Sequence, residues 1–369
     1  MFLIGDAGQP VLPALDEATG SDKLIDPVLS KLRDDVENRV GQLGVEGVAV
    51  VFLGDNVYPV GLVQRDDPDR QRGERVLRAQ IAAVGAARGY FLAGNHDWHR
   101  EGDRGYEYIL EQREFLGQFA PRIRMEPPGG CVGPTTLEIG DHLRLVFFDM
   151  IAANYFWEHR DVPQKGCPHT NVLGAFYDLE KQFGDHESRH VAFLNHYPIV
   201  TAGPHGGHFT WKQHVFPLTD FWPWAWIPLP IIGSAYPLSR QMGVTGTDVS
   251  SVQYERFLRA FWRTSDLGSP MLIAGGHEHS LQVHRDITGV YYLVSGAGSA
   301  YKVDRIEEQE TMLMGVAKPG YMRLDAMAGG ALELSVIALE ANEPIYRQCL
   351  ASGPPEETDI GKVGMDGRR

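Results

Sequence analysis

The chain runs again and again through a short stretch of apolar residues and stops on a polar cluster. MFLIGD opens it, and VAVVFLGDN at 48–56, YFLAGNHD at 90–97, RLVFFD at 144–149, HVAFLNH at 190–196 and MLIAGGHEH at 271–279 follow. A strand with one face in water alternates apolar and polar residues, whereas an unbroken apolar run is the mark of a strand buried on both faces. Such strands need cover on either side. Helical patterns supply it: Leu24, Ile25, Val28, Leu29, Leu32, Val36 and Val40 keep a helical period, as do Val76, Leu77, Ile81 and Val84, and Phe257, Leu258, Phe261 and Trp262 mark a further helix. VYYLVSG at 290–296 and ALELSVIAL at 331–339 read as hairpin strands. The alternation predicts a layered α/β domain with some antiparallel strands.

We expect one domain over 1–345, an aromatic, proline-rich insertion at about 204–250, and a polar tail at 346–369 that stays flexible. The net charge of -14 argues against a duplex nucleic acid or an anionic membrane surface as partner, because nothing broad would neutralise phosphates. Cys131, Cys167 and Cys349 are widely spaced and form no CxxC, so neither a disulfide framework nor a thiolate zinc site is suggested. MFLIGD begins directly as a strand, which fits a cytoplasmic protein as the sequence stands and an exported one if the N-terminus is truncated.

Polar residues at the ends of five strands carry the chemistry: Asp6, Asp55, Asn95, His196, His277 and His279. In open α/β sheets such groups converge outside the carboxyl ends of the strands, so all six are expected in one crevice. Carboxylate, amide oxygen and imidazole suit Fe, Mn or Zn, and the set is too large for one tetrahedral ion. Two ions sharing one carboxylate accommodate it. A pair of ions clamps the attacking and leaving oxygens of an in-line displacement at phosphorus and generates hydroxide near neutral pH, so phosphate-ester hydrolysis is the chemistry best served.

GDAG, GDNVY, GNHD, NHYP and GHEH, in this order, resemble the motif blocks of the calcineurin-like metallophosphoesterase superfamily, and in particular its purple acid phosphatase branch. The blocks span Gly5 to His279, about three quarters of the chain. The resemblance implies an αββα sandwich of mixed sheets flanked by helices. Most branches carry Asp-x-His in the first block, where this chain has Asp6-Ala7-Gly8; in the purple branch the tyrosine of GDxxY, here Tyr58, replaces that imidazole. Carried over by position, Asp6, Asp55, Tyr58 and His279 would hold a first ion, and Asp55, Asn95, His196 and His277 a second. Fe(III) is the implied occupant of the Tyr58 position, and Fe(II), Zn or Mn of the other. His96 resembles the family's phosphate-facing histidine, with Asp97 as its orienting partner. His205, nine positions after His196, resembles a substrate-side histidine that contacts phosphate or acts as general acid, although a Gly-rich loop can also leave it solvated. His208 is a weaker candidate for the same role.

The function implied is hydrolysis of phosphate monoesters. The alternatives are a phosphodiesterase or nucleotide pyrophosphohydrolase on the same site and, more remotely, a non-catalytic scaffold. FPLTDFWPWAWIPLPII at 216–232 holds Pro217, Pro223, Pro228 and Pro230, which exclude a regular transmembrane helix. Three roles are open to it: a flap packed on the domain, a wall of the substrate pocket, or an interfacial or subunit contact.

Overall fold

The computed structural model describes every residue except 13–23, 163, 165, 170, 185–188, 210, 221–223, 230–232, 236–237, 239, 241–247, 249–250, 265–269, 301 and 355–369. Each apolar run becomes a strand, and the described strands fall into two seven-stranded sheets. The first sheet is built from β1 (Phe2–Ile4), β2 (Ala49–Leu53), β3 (Arg88–Leu92), β4 (Ile123–Met125), β12 (Gly320–Ala326), β13 (Leu332–Ala338) and β14 (Tyr346–Ala351). Its order is β14-β13-β12-β1-β2-β3-β4, with β1 to β4 mutually parallel and β12 antiparallel to β1. The second holds β5 (Thr135–Ile139), β6 (Leu143–Phe147), β7 (His190–Leu194), β8 (Leu272–Gly275), β9 (Leu281–Arg285), β10 (Tyr291–Ser295) and β11 (Met312–Val316). Its order is β11-β9-β10-β8-β7-β6-β5, with β6, β7, β8 and β10 parallel.

Side chains on one strand alternate between two cores, which is why the runs are apolar throughout. Leu3, Val51, Leu53 and Leu92 meet Phe147, Leu194, Ala274 and Leu293 in the core between the sheets. Phe2, Ile4, Val50, Phe52, Val146 and Phe193 point the other way, into the helical layers. Helix α1 (Pro27–Leu43) buries Val28, Leu29, Leu32 and Val36 there, and α2 (Arg70–Val84) buries Val76, Leu77, Ile81 and Val84. Asp26 starts α1: its Oδ1 accepts the Leu29 N–H at 2.9 Å, ahead of a proline in the first turn. Over the second sheet lie α4 (Met150–Glu158), α5 (Val172–Gly184) and α7 (Val252–Thr264); α3 (Gly105–Gly117) and the short α6 (Trp211–Val215) are further described helices. The result is the expected sandwich of mixed sheets flanked by helices.

Three expectations are corrected. Tyr346–Ala351, assigned to the flexible tail, is strand β14 paired antiparallel to β13. It alternates half-buried and exposed positions as an edge strand does, a pattern short enough to pass for polar coil. The part of the tail from 355 onward lies outside the described residues. Cys131 and Cys167 form a disulfide across 36 residues, leaving Cys349 free and exposed. Their separation carries no motif; only the folded chain brings them together. Finally, Asp97 does not orient His96, whose Nδ1 instead meets the Pro59 carbonyl. Of the aromatic insertion, Trp224, Trp226 and Ile227 are exposed and Ala225 is buried, while 221–223 and 230–232 lie outside the described residues. No described helix is long and apolar enough to cross a membrane.

Candidate metal centre

The carboxyl ends of β1, β2 and β3 in one sheet and of β7 and β8 in the other meet at one edge of the sandwich. Asp6, Asp55, Asn95, His196, His277 and His279 follow these strands within a few residues, and all six are buried there. Asp6, Asp55 and His277 adopt left-handed backbone conformations, with φ of 59°, 55° and 66°. This is costly for a residue with a side chain, by about 1–3 kcal/mol each, and it turns each side chain sharply off its strand toward the common point. Gly94 permits the close approach, because a Cβ there would lie 2.2 Å from Asp55 Oδ1.

The donors separate into two groups that share Asp55. Around the first, the Tyr58 hydroxyl lies 3.0 Å from Asp6 Oδ1, 3.0 Å from Asp55 Oδ2 and 3.1 Å from His279 Nε2. His279 Nε2 is also 3.3 Å from Asp6 Oδ1. Around the second, Asn95 Oδ1 is 3.1 Å from both His196 Nε2 and His277 Nδ1, and His196 Nε2 is 3.5 Å from Asp55 Oδ1. Ligand atoms of Asp55, His196 and His277 all fall within 4.8 Å of one another. The two oxygens of one carboxylate therefore face two separate donor clusters.

A further set of residues fixes these donors in place. His196 Nδ1 is 2.8 Å from the Leu53 carbonyl, so it carries the proton and leaves the Nε2 lone pair aimed at the cluster. The His277 N–H donates to Asp6 Oδ2 at 2.7 Å, and Asp304 Oδ2 lies 3.3 Å behind His279 Nδ1. Burial, reinforced by Asp55 and Asp6, pushes the Tyr58 hydroxyl well above the usual range for a phenol, so without a cation it stays protonated between the carboxylates.

His96 lies at the rim, with Nε2 3.8 Å from Asp55 Oδ2. Its Nδ1 is 2.6 Å from the Pro59 carbonyl, which sets its ring, and not Asp97. The Asp97 carboxylate is buried beneath the loop instead: it accepts from the Asn56 and Val57 N–H groups, the Asn56 amide and the Gly94 N–H, all within 3.1 Å. Burial and the neighbouring charge of Asp55 push it up to about 7. Asp97 thus locks the GDN and GNHD turns against each other, and adjacency in sequence to His96 was a misleading signal.

A cavity of about 260 Å³ opens over the donors, lined by Asp55, Asn95, His96, Arg100, His205, His277, His279 and Lys302. His205 therefore reaches the cavity, with its ring centroid 4.1 Å from that of His277. His208 is half-buried and bonded through Nδ1 to Gln309 at 3.1 Å, outside the cavity lining. Arg100 and Lys302 went unnoticed in the sequence, since neither sits in a motif. Arg100 is held in the left-handed region, with its Nε 3.2 Å from the Pro59 carbonyl, and Lys302 Nζ lies 3.5 Å from His279 Nε2. In a chain of net charge -14 these two cations bring positive charge to the mouth of the site.

No protein-family model and no curated protein sequence matches the chain. Among solved structures it is similar to "GAP50 the anchor in the inner membrane complex of Plasmodium", with TM-score 0.53 and 15% identity, covering 97% of this chain and 89% of that one. It is also similar to purple acid phosphatase PPD1 from yellow lupin (Lupinus luteus) seeds, with TM-score 0.49 and 13% identity over 94% of this chain and 52% of that one. A structure of PhoD gives TM-score 0.46 and 11% identity over 94% and 67%. At these identities the likeness to GAP50 is one of fold.

Proposed function

We propose that the chain is a phosphoesterase with a two-cation centre that hydrolyses phosphate monoesters. The observation that carries this reading is Asp55, whose Oδ2 lies 3.0 Å from Tyr58 in one donor cluster and whose Oδ1 lies 3.5 Å from His196 in the other. The donors fit such a pair of ions: they are oxygen and imidazole nitrogen only, and the His196 Nδ1 proton is already committed to the Leu53 carbonyl. Asp6, Asp55, Tyr58 and His279 would hold one cation and Asp55, Asn95, His196 and His277 the other. The Tyr58 oxygen suits a hard ion such as Fe(III), and Fe(II), Zn or Mn suits the imidazole-rich side. Bound cations would polarise the phosphoryl oxygens and lower the pKa of a water.

The rest is the work of the chain's own groups. Arg100 and Lys302 draw the anionic substrate to the mouth. His96, set by Pro59, faces the phosphoryl group and donates a hydrogen bond to it. His205 lines the same cavity, where it meets the leaving group. Buried Asp97 keeps the two loops that carry Asp55 and Asn95 in register.

A second reading, a scaffold without catalysis, draws on the fold shared with GAP50, which its own description calls an anchor. The full set of donors in both clusters favours catalysis. Phosphate release from monoesters, diesters and nucleotides, measured on purified, metal-stripped and metal-reloaded protein, decides between these readings. Activity on monoesters that disappears on stripping and returns on reloading supports the proposal; full activity in verified metal-free protein, or none after reloading, sinks it.

A further inference from the structure

Three consecutive residues beside the cavity, His99, Arg100 and Glu101, have left-handed backbones, with φ of 53°, 54° and 61°. Residues with a Cβ enter that region singly and at a cost, so a run of three persists only where its surroundings hold it. The His99 ring stacks on Tyr108 with centroids 4.4 Å apart, the Arg100 N–H donates to the Asn95 carbonyl at 2.7 Å, and the carboxyl of Glu101 turns inward to accept from the Tyr197 hydroxyl. Of the three, Arg100 lines the cavity, and its Nε donates to the Pro59 carbonyl at 3.2 Å. The same oxygen meets His96 Nδ1 at 2.6 Å, so the two side chains stand next to each other. Depth separates them from the donors. Asp55, Asn95, His277 and His279 are buried and His96 is half-buried, whereas Arg100 and Lys302 are exposed at the mouth. Both cations lie on the Tyr58 side: Lys302 Nζ is 5.8 Å from the centre of the Tyr58 ring, and Pro59, which holds Arg100, is the next residue. Among the described residues neither forms an ion pair with a carboxylate. The cation near His205 is engaged by contrast, since Arg240 Nε lies 2.9 Å from Oδ2 of buried Asp248, whose Oδ1 is 3.1 Å from His205 Nδ1.

We propose that Arg100, seconded by Lys302, is a specificity-determining residue that binds a second phosphate carried on the leaving group, so that the site prefers bisphosphate esters whose phosphates are a few bonds apart; this rests on the phosphoesterase reading above. The scissile phosphoryl group is met at the floor, by the donor clusters with their ions and by His96. Cations at the mouth meet what that group is attached to. Two of them without a carboxylate partner match the charge of a phosphate dianion, and a guanidinium tied down through Nε presents its two terminal nitrogens to a pair of phosphate oxygens. The shared Pro59 carbonyl keeps Arg100 beside His96, which sets the short spacing between the two phosphates. A monoester of an uncharged alcohol leaves both cations to water. The strained turn at 99–101 thus holds a contact that only a doubly phosphorylated substrate completes.

The test sets ethylene glycol monophosphate against ethylene glycol bisphosphate in wild type, Arg100→Gln and Arg100→Lys, at about 0.15 M salt so that long-range attraction is screened, with metal content and melting measured alongside. Wild type should favour the bisphosphate in kcat/KM by about ten- to a hundredfold, the scale of charge-assisted hydrogen bonds to one dianion. Arg100→Gln should lower kcat/KM by up to about threefold on the monophosphate and by about tenfold or more on the bisphosphate, mainly through KM. Arg100→Lys keeps the charge but has no Nε for the Pro59 carbonyl, so it should recover only part of the preference. Equal handling of the two esters by wild type, an equal fall on both in Arg100→Gln, or full recovery in Arg100→Lys overturns the proposal. Should Arg100→Gln fail to fold, Lys302→Gln carries the same comparison with an expected loss of preference of about threefold, and an unaltered preference overturns it. A second readout needs no turnover: butylene bisphosphonate and butylphosphonate, which are not hydrolysed, are titrated into the zinc-loaded protein by calorimetry. Wild type should bind the bisphosphonate about tenfold more tightly than Arg100→Gln does, with a smaller difference for the monophosphonate; equal differences overturn the proposal. If wild type hydrolyses neither ester, the phosphoesterase reading falls, and the calorimetry alone decides whether Arg100 takes a second phosphate.

Discussion

Replacing Tyr58 by Phe removes one oxygen from the point where the first cluster closes, and the consequences differ with and without a cation. Without one, the buried hydroxyl lies 3.0 Å from both Asp6 and Asp55. Hydrogen bonds to charged groups contribute about 1.5–3 kcal/mol each, and the two share one proton, so the loss is that of one such bond, about 1.5–3 kcal/mol. Unfolding entropy for a chain of 369 residues is about 0.8 kcal/mol/K, which turns this into a fall in Tm of about 2–4 °C. With a cation bound, the phenol must first lose a proton that burial, Asp55 and Asp6 hold tightly. Wild type should therefore release one more proton per chain on metal uptake than Tyr58→Phe. Titration calorimetry in buffers of different ionisation enthalpy reads that difference directly. Loaded with iron and oxidised, wild type should also show a visible phenolate charge-transfer band that the variant lacks. Equal proton release by the two proteins, or an unchanged visible band at equal iron content, refutes Tyr58 as a ligand.

Further outcomes follow from other parts of the molecule. Reducing the Cys131–Cys167 disulfide, which spans 36 residues, should cost about 3–4 kcal/mol by loop entropy, read as a lower denaturation midpoint; an unchanged midpoint contradicts the pairing. His96→Asn should lower kcat by about 10² to 10⁴ with both metals retained, and a matching loss of metal would make His96 structural. Asp149 caps α4 and accepts from Trp98, and burial pushes it up to about 6. The native state thus binds that proton more tightly than the unfolded chain, so stability falls by about 3 kcal/mol as pH rises from about 4 to about 6. Asp149→Asn should flatten this segment of the stability-versus-pH curve, and an unaltered slope would assign it elsewhere.

The strand framework was legible because strands buried on both faces leave unbroken apolar runs, and the polar residues that end them had nowhere to go but a common edge. The donors were legible for the same reason, even though they come from two sheets. Tyr58 needed the motif resemblance as well, since an aromatic residue after a strand is ordinarily core. What the sequence concealed depends on tertiary closure. The Asp248–Arg240 pair reaches His205 across an insertion without periodicity, and Arg100 and Lys302 are single cations in loops. The link drawn between Asp97 and His96 failed because neighbouring residues in a tight turn point apart: Asp97 turns inward to four N–H donors while His96 turns out to the cavity.

In the proposed site one carboxylate, that of Asp55, joins two cations. Anomalous scattering from crystals of the metal-loaded protein, collected on either side of the metal absorption edge, tests it most directly. Two peaks are expected, one within about 2–2.2 Å of Asp55 Oδ2 and of the Tyr58 oxygen, the other at the same range from Asp55 Oδ1 and within about 2.0–2.1 Å of His196 Nε2. A single peak, or two peaks of which neither touches Asp55, would contradict it.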